Sequence, residues 1–215
     1  RIGEILDKQK KIVIALSFIV VSAFVGVVWK QNRNRVVNVC VLNDVRAPVQ
    51  DTSLIKGTIQ QLSIGYERHV RIKLAVREFH PHSGDLTYAW YHDSVPNLSP
   101  RAACAPRSEV VIIVTNKRRT GLMEGNDVYS EFMGENHPSS RGVVTIYNFN
   151  TLSHMLDGSG SPLLVKVLNH EIGHAFIGPF HSNDPESFMY PSPASRGRWT
   201  AETVDSLVKY RNRRF

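Results

Sequence analysis

Apolar and polar residues alternate along the chain in patterns that predict both strands and helices. The run VVNVCVL, from Val36 to Leu42, is rich in β-branched residues and predicts a strand. Apolar residues then recur at helical spacing and predict a first helix: Ile55, Ile59, Leu62 and Tyr66. The next run, VRIKLAVRE from Val70 to Glu78, alternates apolar with mostly basic residues. This period of two predicts a strand with one face in water.

The second half of the chain continues the mixture of strands and helices. VVIIVT, from Val110 to Thr115, is short and wholly apolar before its last residue, which predicts a buried central strand. GVVTIYNF, residues 142–149, is a further strand candidate, whereas 79–107 and 116–141 read as irregular. A helix is predicted from about Pro162 to Ile177, with Ser161 as its cap, and a last helix begins after Thr200. The order of elements indicates an α+β fold.

The longest apolar run lies near the start of the chain, from Ile12 to Trp29. It carries no charge and is long enough to cross the hydrocarbon layer of a bilayer as a helix. Its last residue is a tryptophan, a residue type enriched at membrane interfaces. We therefore divide the chain into a basic segment (1–11), a transmembrane anchor (12–29), a linker (30–35) and one folded domain (36–215).

The net charge belongs mainly to the anchor region. The chain has 26 Lys and Arg against 19 Asp and Glu, a net charge of +7. Residues 1–35 hold seven of the basic and two of the acidic residues, so +5 surrounds the apolar run and only +2 remains for the folded domain. A charge this small disfavours nucleic-acid binding. Basic residues flank the anchor on both sides, and the orientation in the membrane stays open.

A cleaved secretory signal is the alternative interpretation of this apolar run. Val21-Ser22-Ala23 supplies small residues of the kind that a signal peptidase needs. The run continues to Val28, beyond the length of a short signal core, and we therefore favour the anchor. In both interpretations the folded domain is expected outside the cytoplasm, as part of a single-pass membrane protein or as a secreted one.

The two cysteines are far apart in sequence. Cys40 falls in the first predicted strand and Cys104 in an irregular stretch. A location outside the cytoplasm permits a disulfide between them, but two cysteines do not define a disulfide framework. We favour two separate thiols. Neither cysteine belongs to a CxxC pair, which excludes a cysteine zinc site.

The segment HEIGHAFIGPFH, from His170 to His181, carries the candidate chemistry. Residues four apart lie on the same face of a helix, so His170 and His174 direct two imidazoles at one point. Gly178 ends the helix through a left-handed conformation and allows His181 to return to the same point as a third ligand. Three neutral imidazoles with one open position suit a catalytic zinc ion.

Glu171 is the next residue round this helix from His170 and is the candidate general base. It would accept a proton from a zinc-activated water and pass that proton to the departing amine. The hydroxide formed in this way attacks a carbonyl that the metal polarises. The predicted reaction is therefore peptide hydrolysis without a covalent intermediate.

The whole segment resembles the metzincin metalloproteases, in which HExxH precedes a glycine, a third histidine and a methionine. HSNDPESFMYP, residues 181–191, is similar to the His-Ser-x-Asp-Pro and Met-Tyr-Pro runs of the matrixin (matrix metalloproteinase) branch. The resemblance implies a metalloprotease catalytic domain with a twisted mixed sheet, an active-site helix and a C-terminal helix. It implies that Met189 forms the turn beneath the zinc. It also implies that three residues begin the wall of the substrate pocket: Tyr190, Pro191 and Pro193.

One departure from the family pattern concerns the third histidine. The family has two residues between the second histidine and the glycine, whereas three residues, 175–177, precede Gly178 here. A wider turn can absorb an added residue at a helix end, and we still expect His181 to bind zinc. The fallback is a thermolysin-like site with Glu202 as the third ligand, an arrangement that the Met-Tyr-Pro run disfavours.

The resemblance also implies accessory sites. A substrate lies extended along an edge strand in related enzymes, and residues 142–149 are expected to form that strand. Matrixins often carry a second zinc, for which four residues offer ligands, although loop histidines commonly bind no metal: His80, His82, Asp85 and His92. An acidic loop offers ligands for calcium, although solvated charge accounts for it equally: Glu124, Asp127 and Glu131.

These patterns together predict a membrane-anchored zinc endopeptidase that acts on a polypeptide substrate as a monomer. Nucleic acid is not an expected partner, and residues 12–29 provide the expected contact with a membrane. The alternative is a catalytically inactive domain of the same fold, which uses the cleft only to bind peptides because the added residue before Gly178 has spoiled the metal site.

Overall fold

The computed structural model describes most of the chain from Asn34 onward. The described residues are 17, 19–20, 22, 34–82, 100–122, 129–136, 142–156, 160–192 and 196–212. They belong to two units, residues 1–34 and 35–215. The predicted anchor falls in the first unit and lies almost wholly outside the described residues; its four described positions are helical. No helix among the described residues combines the length and apolarity needed to span a bilayer.

A five-stranded sheet forms the centre of the 35–215 unit. The strands in chain order are β1 (Arg35–Asp44), β2 (Ile72–His82), β3 (Val110–Val114), β4 (Arg119–Leu122), β5 (Tyr129–Phe132), β6 (Gly134–Asn136) and β7 (Val143–Ile146). The sheet has the order β2-β1-β3-β7-β6, with the first four strands parallel and β6 antiparallel to β7. β4 and β5 pair as a separate antiparallel hairpin. The predicted α+β class with a mixed sheet is confirmed.

Both faces of this sheet are covered, which explains the continuous apolar runs of its central strands. All five residues of β3 are buried, as the sequence predicted. On β1, Val37, Val39 and Val41 face the helices in the main core. Cys40 and Leu42 face the other way, into a smaller apolar cluster.

The smaller cluster is covered by the segment that contains Cys104, and a disulfide joins Cys104 to Cys40. The prediction of two separate thiols is therefore wrong. Glu78 of β2 reinforces this attachment, because its carboxylate accepts hydrogen bonds from the Ala105 N–H (2.8 Å) and the Ser108 hydroxyl (2.6 Å). A 3-10 helix, Pro100–Ala103, precedes these residues.

The described residues of the unit include four α-helices: α1 (Thr52–Val70), α2 (Phe149–His154), α3 (Leu163–Ile177) and α4 (Ala201–Tyr210). Asp51 caps α1, where its carboxylate accepts from the N–H groups of Ser53 and Leu54. The four apolar residues that predicted α1 are all buried. Helix α3 is buried along most of its length because it packs in the main core beside the sheet.

One aromatic residue links α1 to the segment that follows α3. The Trp199 ring stacks on His69 at 4.9 Å and meets the edge of Tyr66 at 4.9 Å between ring centroids. It also lies 4.7 Å from the Phe188 ring. A Cβ on Gly65 would stand only 3.1 Å from the indole, so glycine allows this close packing.

Several predicted boundaries are wrong by a few residues. Val70 ends α1 and Arg71 adopts a left-handed conformation, so β2 begins at Ile72 rather than Val70. Strand β7 ends at Ile146, and Phe149, which was predicted to be part of it, begins α2 instead. These errors share one cause, because an apolar residue at the end of an element fits the pattern of either neighbour.

Two further corrections concern 116–141 and the start of α3. The first region was predicted to be irregular, yet it contains β4, β5 and β6. Helix α3 begins at Leu163. The residue at its cap position is Pro162 rather than Ser161, and no side-chain cap bond forms there. The cap of α4 is Thr200, as predicted, although no side-chain cap bond forms there either.

Candidate metal centre

Helix α3 and the turn after it bring three imidazoles to one point. The Nε2 atom of His174 lies 3.0 Å from Nε2 of His170 and 3.1 Å from Nε2 of His181. His174 is buried and His170 half-buried, whereas His181 is exposed. The cluster is therefore enclosed by the helix on one side and reached by solvent on the side of His181.

The opposite nitrogens of the two helical histidines are fixed by backbone carbonyls. Nδ1 of His170 lies 2.8 Å from the Phe188 oxygen, and Nδ1 of His174 lies 2.7 Å from the Gly178 oxygen. A carbonyl oxygen can only accept, so each Nδ1 donates its proton. In the neutral rings each Nε2 then carries a lone pair, and these lone pairs are directed at the centre of the cluster. Such outer hydrogen bonds are typical of metal-binding histidines.

Burial favours the neutral imidazoles that a metal requires. Loss of solvation lowers the pKa of His174 to about 3, and the neighbouring His170 and His181 add to that effect. Burial also lowers the pKa of His170, although the hydrogen bond to Phe188 opposes the shift. The pKa of His181 is lowered by burial as well. Three uncharged imidazoles whose Nε2 atoms converge are a donor set that fits zinc.

The added residue before Gly178 does not displace the third histidine. Helix α3 continues to Ile177, and the N–H of Gly178 closes it with a hydrogen bond to the His174 oxygen at 2.8 Å. Gly178 has φ 76° and ψ −148°, a combination that is essentially restricted to glycine, rather than the left-handed helical conformation predicted. The chain turns sharply there and returns the His181 ring to the other two.

Glu171 lies beside the cluster in an apolar environment. Its side chain is 6% exposed, and burial raises its pKa to about 8. Within the described part of the chain, Oε2 of Glu171 has no hydrogen-bond partner. A buried carboxyl with an oxygen that accepts no hydrogen bond, on the residue that follows His170 in α3, is a candidate for proton transfer.

Met189 packs beneath α3, directly against the helix backbone. It is completely buried, and a Cβ at Gly173 would overlap its sulfur atom. The Met189 carbonyl accepts from the N–H of Ser182, so the methionine turn also holds the residue after His181. Of the predicted pocket wall, Tyr190 is half-buried and Pro191 exposed, and Pro193 lies outside the described residues.

Glu202, the fallback third ligand, is engaged elsewhere. Its Oε2 accepts a hydrogen bond from the Ser182 hydroxyl at 2.6 Å. The metal-ligand clusters found among the described residues do not include Glu202. The structure thus places His181, and not Glu202, with the helical pair.

The predicted substrate strand is not an edge. β7 lies between β3 and β6, and the short strand β6 forms the edge of the sheet on this side. Sequence reasoning missed β6 and with it Gly134, whose position would place a Cβ only 2.5 Å from Cγ of Glu171. A glycine within a strand is itself a signal of close approach by another group.

The described residues give little support to the predicted second zinc site and calcium site. His80 pairs with Glu78, whose Oε2 lies 3.0 Å from the His80 Nε2 atom. Burial lowers the pKa of the nearby His82. Asp85 and His92 lie outside the described residues, as do Glu124, Asp127 and the side chain of Glu131.

Comparisons with known proteins support the fold. No protein-family model matches the chain, and no curated protein matches it in sequence. Archaemetzincin from Methanopyrus kandleri is similar in structure, with a TM-score of 0.55 and 15% identity over 82% of this chain and 96% of that chain. Metalloproteinase-II from Bacteroides fragilis aligns with a TM-score of 0.44 and 12% identity over 82% of this chain and 53% of that chain. The chain thus has a fold similar to that of archaemetzincin, and this likeness does not support the matrixin branch in particular.

Proposed function

We propose that residues 36–215 form a zinc-dependent endopeptidase. The observation that carries the proposal is the convergence of three Nε2 atoms, two of them 3.0 and 3.1 Å from the third, beside the buried Glu171. His170, His174 and His181 would hold the ion. The metalloprotease-like fold supports the same conclusion.

The arrangement of donors favours a cation at this point. Because both helical Nδ1 atoms donate to carbonyl oxygens, the neutral rings have no proton left to place between their Nε2 atoms. Facing lone pairs repel one another unless a positive charge lies between them. Zinc held by three imidazoles acidifies water and polarises a carbonyl group when bound.

Glu171 is the proposed general base. Its raised pKa reflects burial alone, and a nearby positive charge favours the carboxylate form that accepts a proton. The carboxylate would take a proton from the attacking water and return it to the amine that leaves. Its enclosed position keeps other water molecules from competing for that proton.

Strand β6 is the proposed binding edge for the substrate backbone. It is the last strand on this side of the sheet, and its first residue, Gly134, lies against Glu171. An extended peptide that pairs with β6 would present its main chain next to the carboxylate. A substrate that binds along an open edge need not end there, which supports endopeptidase activity.

Membrane attachment and location form a second part of the proposal. Residues 12–29 would anchor the protein, with the folded domain outside the cytoplasm. The disulfide between Cys40 and Cys104 supports an oxidising compartment. Fractionation of cells should find the full chain in the membrane pellet after an alkaline wash. Release by that wash would contradict the anchor.

The catalytic proposal is tested with the full chain. The protein should bind about one equivalent of zinc and cleave internal bonds of quenched fluorescent peptides. Glu171→Gln should retain the zinc and lose about 100-fold or more of kcat. Glu78→Gln is the matched control. It changes a carboxylate that is not part of the imidazole cluster, and it should keep full activity.

Three results would contradict this proposal in different ways. A folded protein without zinc would exclude the metal site. Bound zinc without peptide cleavage, but with peptide binding, would favour the inactive peptide-binding alternative. Normal cleavage by Glu171→Gln would show that another group is the base.

A further inference from the structure

Gly134 makes an unusually close approach to the side chain of Glu171. A Cβ built on Gly134 would lie 2.5 Å from Cγ, 2.6 Å from Oε1 and 2.8 Å from Cδ of Glu171. The three nearest atoms all belong to the same side chain. Distances under about 3 Å between carbon atoms are well inside van der Waals contact, so no side chain larger than hydrogen fits there without movement.

Backbone conformation does not explain the glycine. Among the described residues, the glycines with positive φ are Gly142, Gly160, Gly178 and Gly197, and Gly134 is not one of them. An L-amino acid at position 134 would therefore meet no intrinsic backbone strain. What excludes a side chain at this position is the space taken by Glu171.

Neither backbone can easily retreat from this contact. Gly134 pairs with Ile146 of β7, which is fully buried, and the preceding residue is held by a 3.0 Å hydrogen bond from the Tyr147 N–H to the Met133 oxygen. On the other side, α3 is fixed by its core residues and by Gly173, which abuts Met189. The flexible partner in the contact is the Glu171 side chain itself.

We propose that Gly134 is a positioning residue for Glu171. Its missing side chain lets the edge strand β6 lie directly against the Glu171 side chain and so sets where that carboxylate stands. The inference rests on the proposed peptidase function for its catalytic meaning. The contact itself does not depend on that function.

A methyl group at position 134 would push the Glu171 side chain away and leave the histidines in place. A misplacement of about 1 Å at a catalytic group can cost about 100-fold in rate. Gly134→Ala should therefore bind zinc with the same stoichiometry as the wild type and show a kcat lower by about 100-fold. KM should change much less than kcat.

The contact is tested separately by thermal unfolding in two backgrounds. Gly134→Ala should lower the unfolding midpoint of the wild-type protein. A Glu171→Ala background lacks the three atoms nearest to that Cβ, namely Cγ, Cδ and Oε1. There the same substitution should lower the midpoint by less than half as much. Gly57→Ala is the matched control, because a Cβ there meets nothing within 4 Å, and it should preserve kcat and zinc binding.

Four results would overturn the inference. They are a kcat of Gly134→Ala within twofold of the wild type, a change in KM alone, a loss of zinc that accompanies the loss of kcat, and an equal fall of the midpoint in both backgrounds. A wild-type protein without peptidase activity would instead overturn the proposed function and the catalytic meaning of Gly134. The unfolding experiment would then still decide whether the contact exists.

Discussion

Two clusters of metal-binding residue types occur in the described part of the chain, and they differ in what their atoms already bind. The first contains His170, His174 and His181, and the second contains Cys40, Glu78 and His80. In both, the candidate ligand atoms lie within 4.8 Å of one another. Distance alone therefore does not separate them.

The atoms of the second cluster are occupied. Cys40 is bonded to Cys104, and Glu78 accepts from Ala105, Ser108 and His80. In the first cluster the hydrogen bonds use the outer nitrogens of two rings and leave the inner ones directed at the centre. A metal site needs ligand atoms that are not already bonded to other groups. The second cluster is better explained as an attachment between β2 and the segment that contains Cys104.

The two glutamates show the same contrast in their protonation. Burial raises the pKa of Glu171 to about 8. Hydrogen bonds from Ser108 first, then from Ala105 and His80, lower the pKa of Glu78 below its usual value of 4.5. One carboxyl is kept ready for proton transfer, and the other is kept charged as a structural acceptor.

The largest expected effect concerns zinc binding. His174→Ala removes the ring that lies between the other two, so zinc affinity should fall by more than the roughly 10- to 100-fold seen when an outer partner is lost. His80→Ala is the matched control in the second cluster and should leave the affinity unchanged. Titration against a competing chelator measures both. A similar loss for His80→Ala would erase the distinction between the clusters.

Removal of the disulfide should affect stability and not the metal. The two cysteines are 64 residues apart, and a loop of this size predicts a loss of about 4 kcal/mol in the free energy of unfolding when both become alanine. Urea denaturation measures the loss, and wild-type protein reduced by a dithiol should behave in the same way. Zinc stoichiometry should remain unchanged. A variant that also loses zinc would show that the second cluster supports the first.

The two glutamates should give opposite pH dependences in protein stripped of zinc. The Glu171 pKa is higher in the folded state than in the unfolded state. The contribution of this carboxyl to the free energy of unfolding is therefore greatest below pH 4.5 and is lost as the pH rises towards 8. The free energy of unfolding of Glu171→Gln should accordingly rise relative to that of the wild type over that range, by about 3 kcal/mol at pH 7. The measurement is urea denaturation at a series of pH values.

Glu78→Gln should show the reverse trend in the same experiment. The Glu78 pKa is lower in the folded state, so the wild type should be more stable than this variant above pH 4.5. That advantage should disappear as the pH falls through the lowered pKa. Parallel curves for the two variants would contradict the assignment of opposite environments.

The smallest effect concerns the turn that delivers the third histidine. Gly178→Ala forces a side chain into a conformation with φ 76° and should cost about 2 kcal/mol of stability. Gly57→Ala, in the exposed part of α1, should instead stabilise the protein by about 0.5–1 kcal/mol. Equal effects of the two substitutions in thermal unfolding would show that the turn tolerates a side chain.

The sequence was most informative where structure follows from a local period. The apolar spacing from Ile55 to Tyr66 predicted α1, and the apolar run at Val110 predicted the buried central strand. Helix α3 was predicted to within one residue because proline and glycine mark its two ends. In each case the deciding interactions lie within a few residues of one another.

The sequence was least informative where partners are distant. β6 has only three residues, without an apolar pattern, and exists because β7 pairs with it. The partner of Cys40 is chosen by the packing of the sheet rather than by spacing. The carbonyl groups of Phe188 and Gly178 orient two rings, and a backbone carbonyl leaves no trace in the choice of side chain. Gly134 becomes informative, as a glycine within a strand, only once β6 is known to exist.

Trp199 gives the folded unit a built-in optical reporter. Of the three tryptophans in the chain, it is the one whose surroundings the structure describes. Its indole contacts the ring of Phe188, and the carbonyl of that same residue holds the ring of His170. Indole emission responds to small changes in such contacts. Metal loading at the imidazoles should therefore be visible as a change in the protein's own fluorescence, without a label or a substrate.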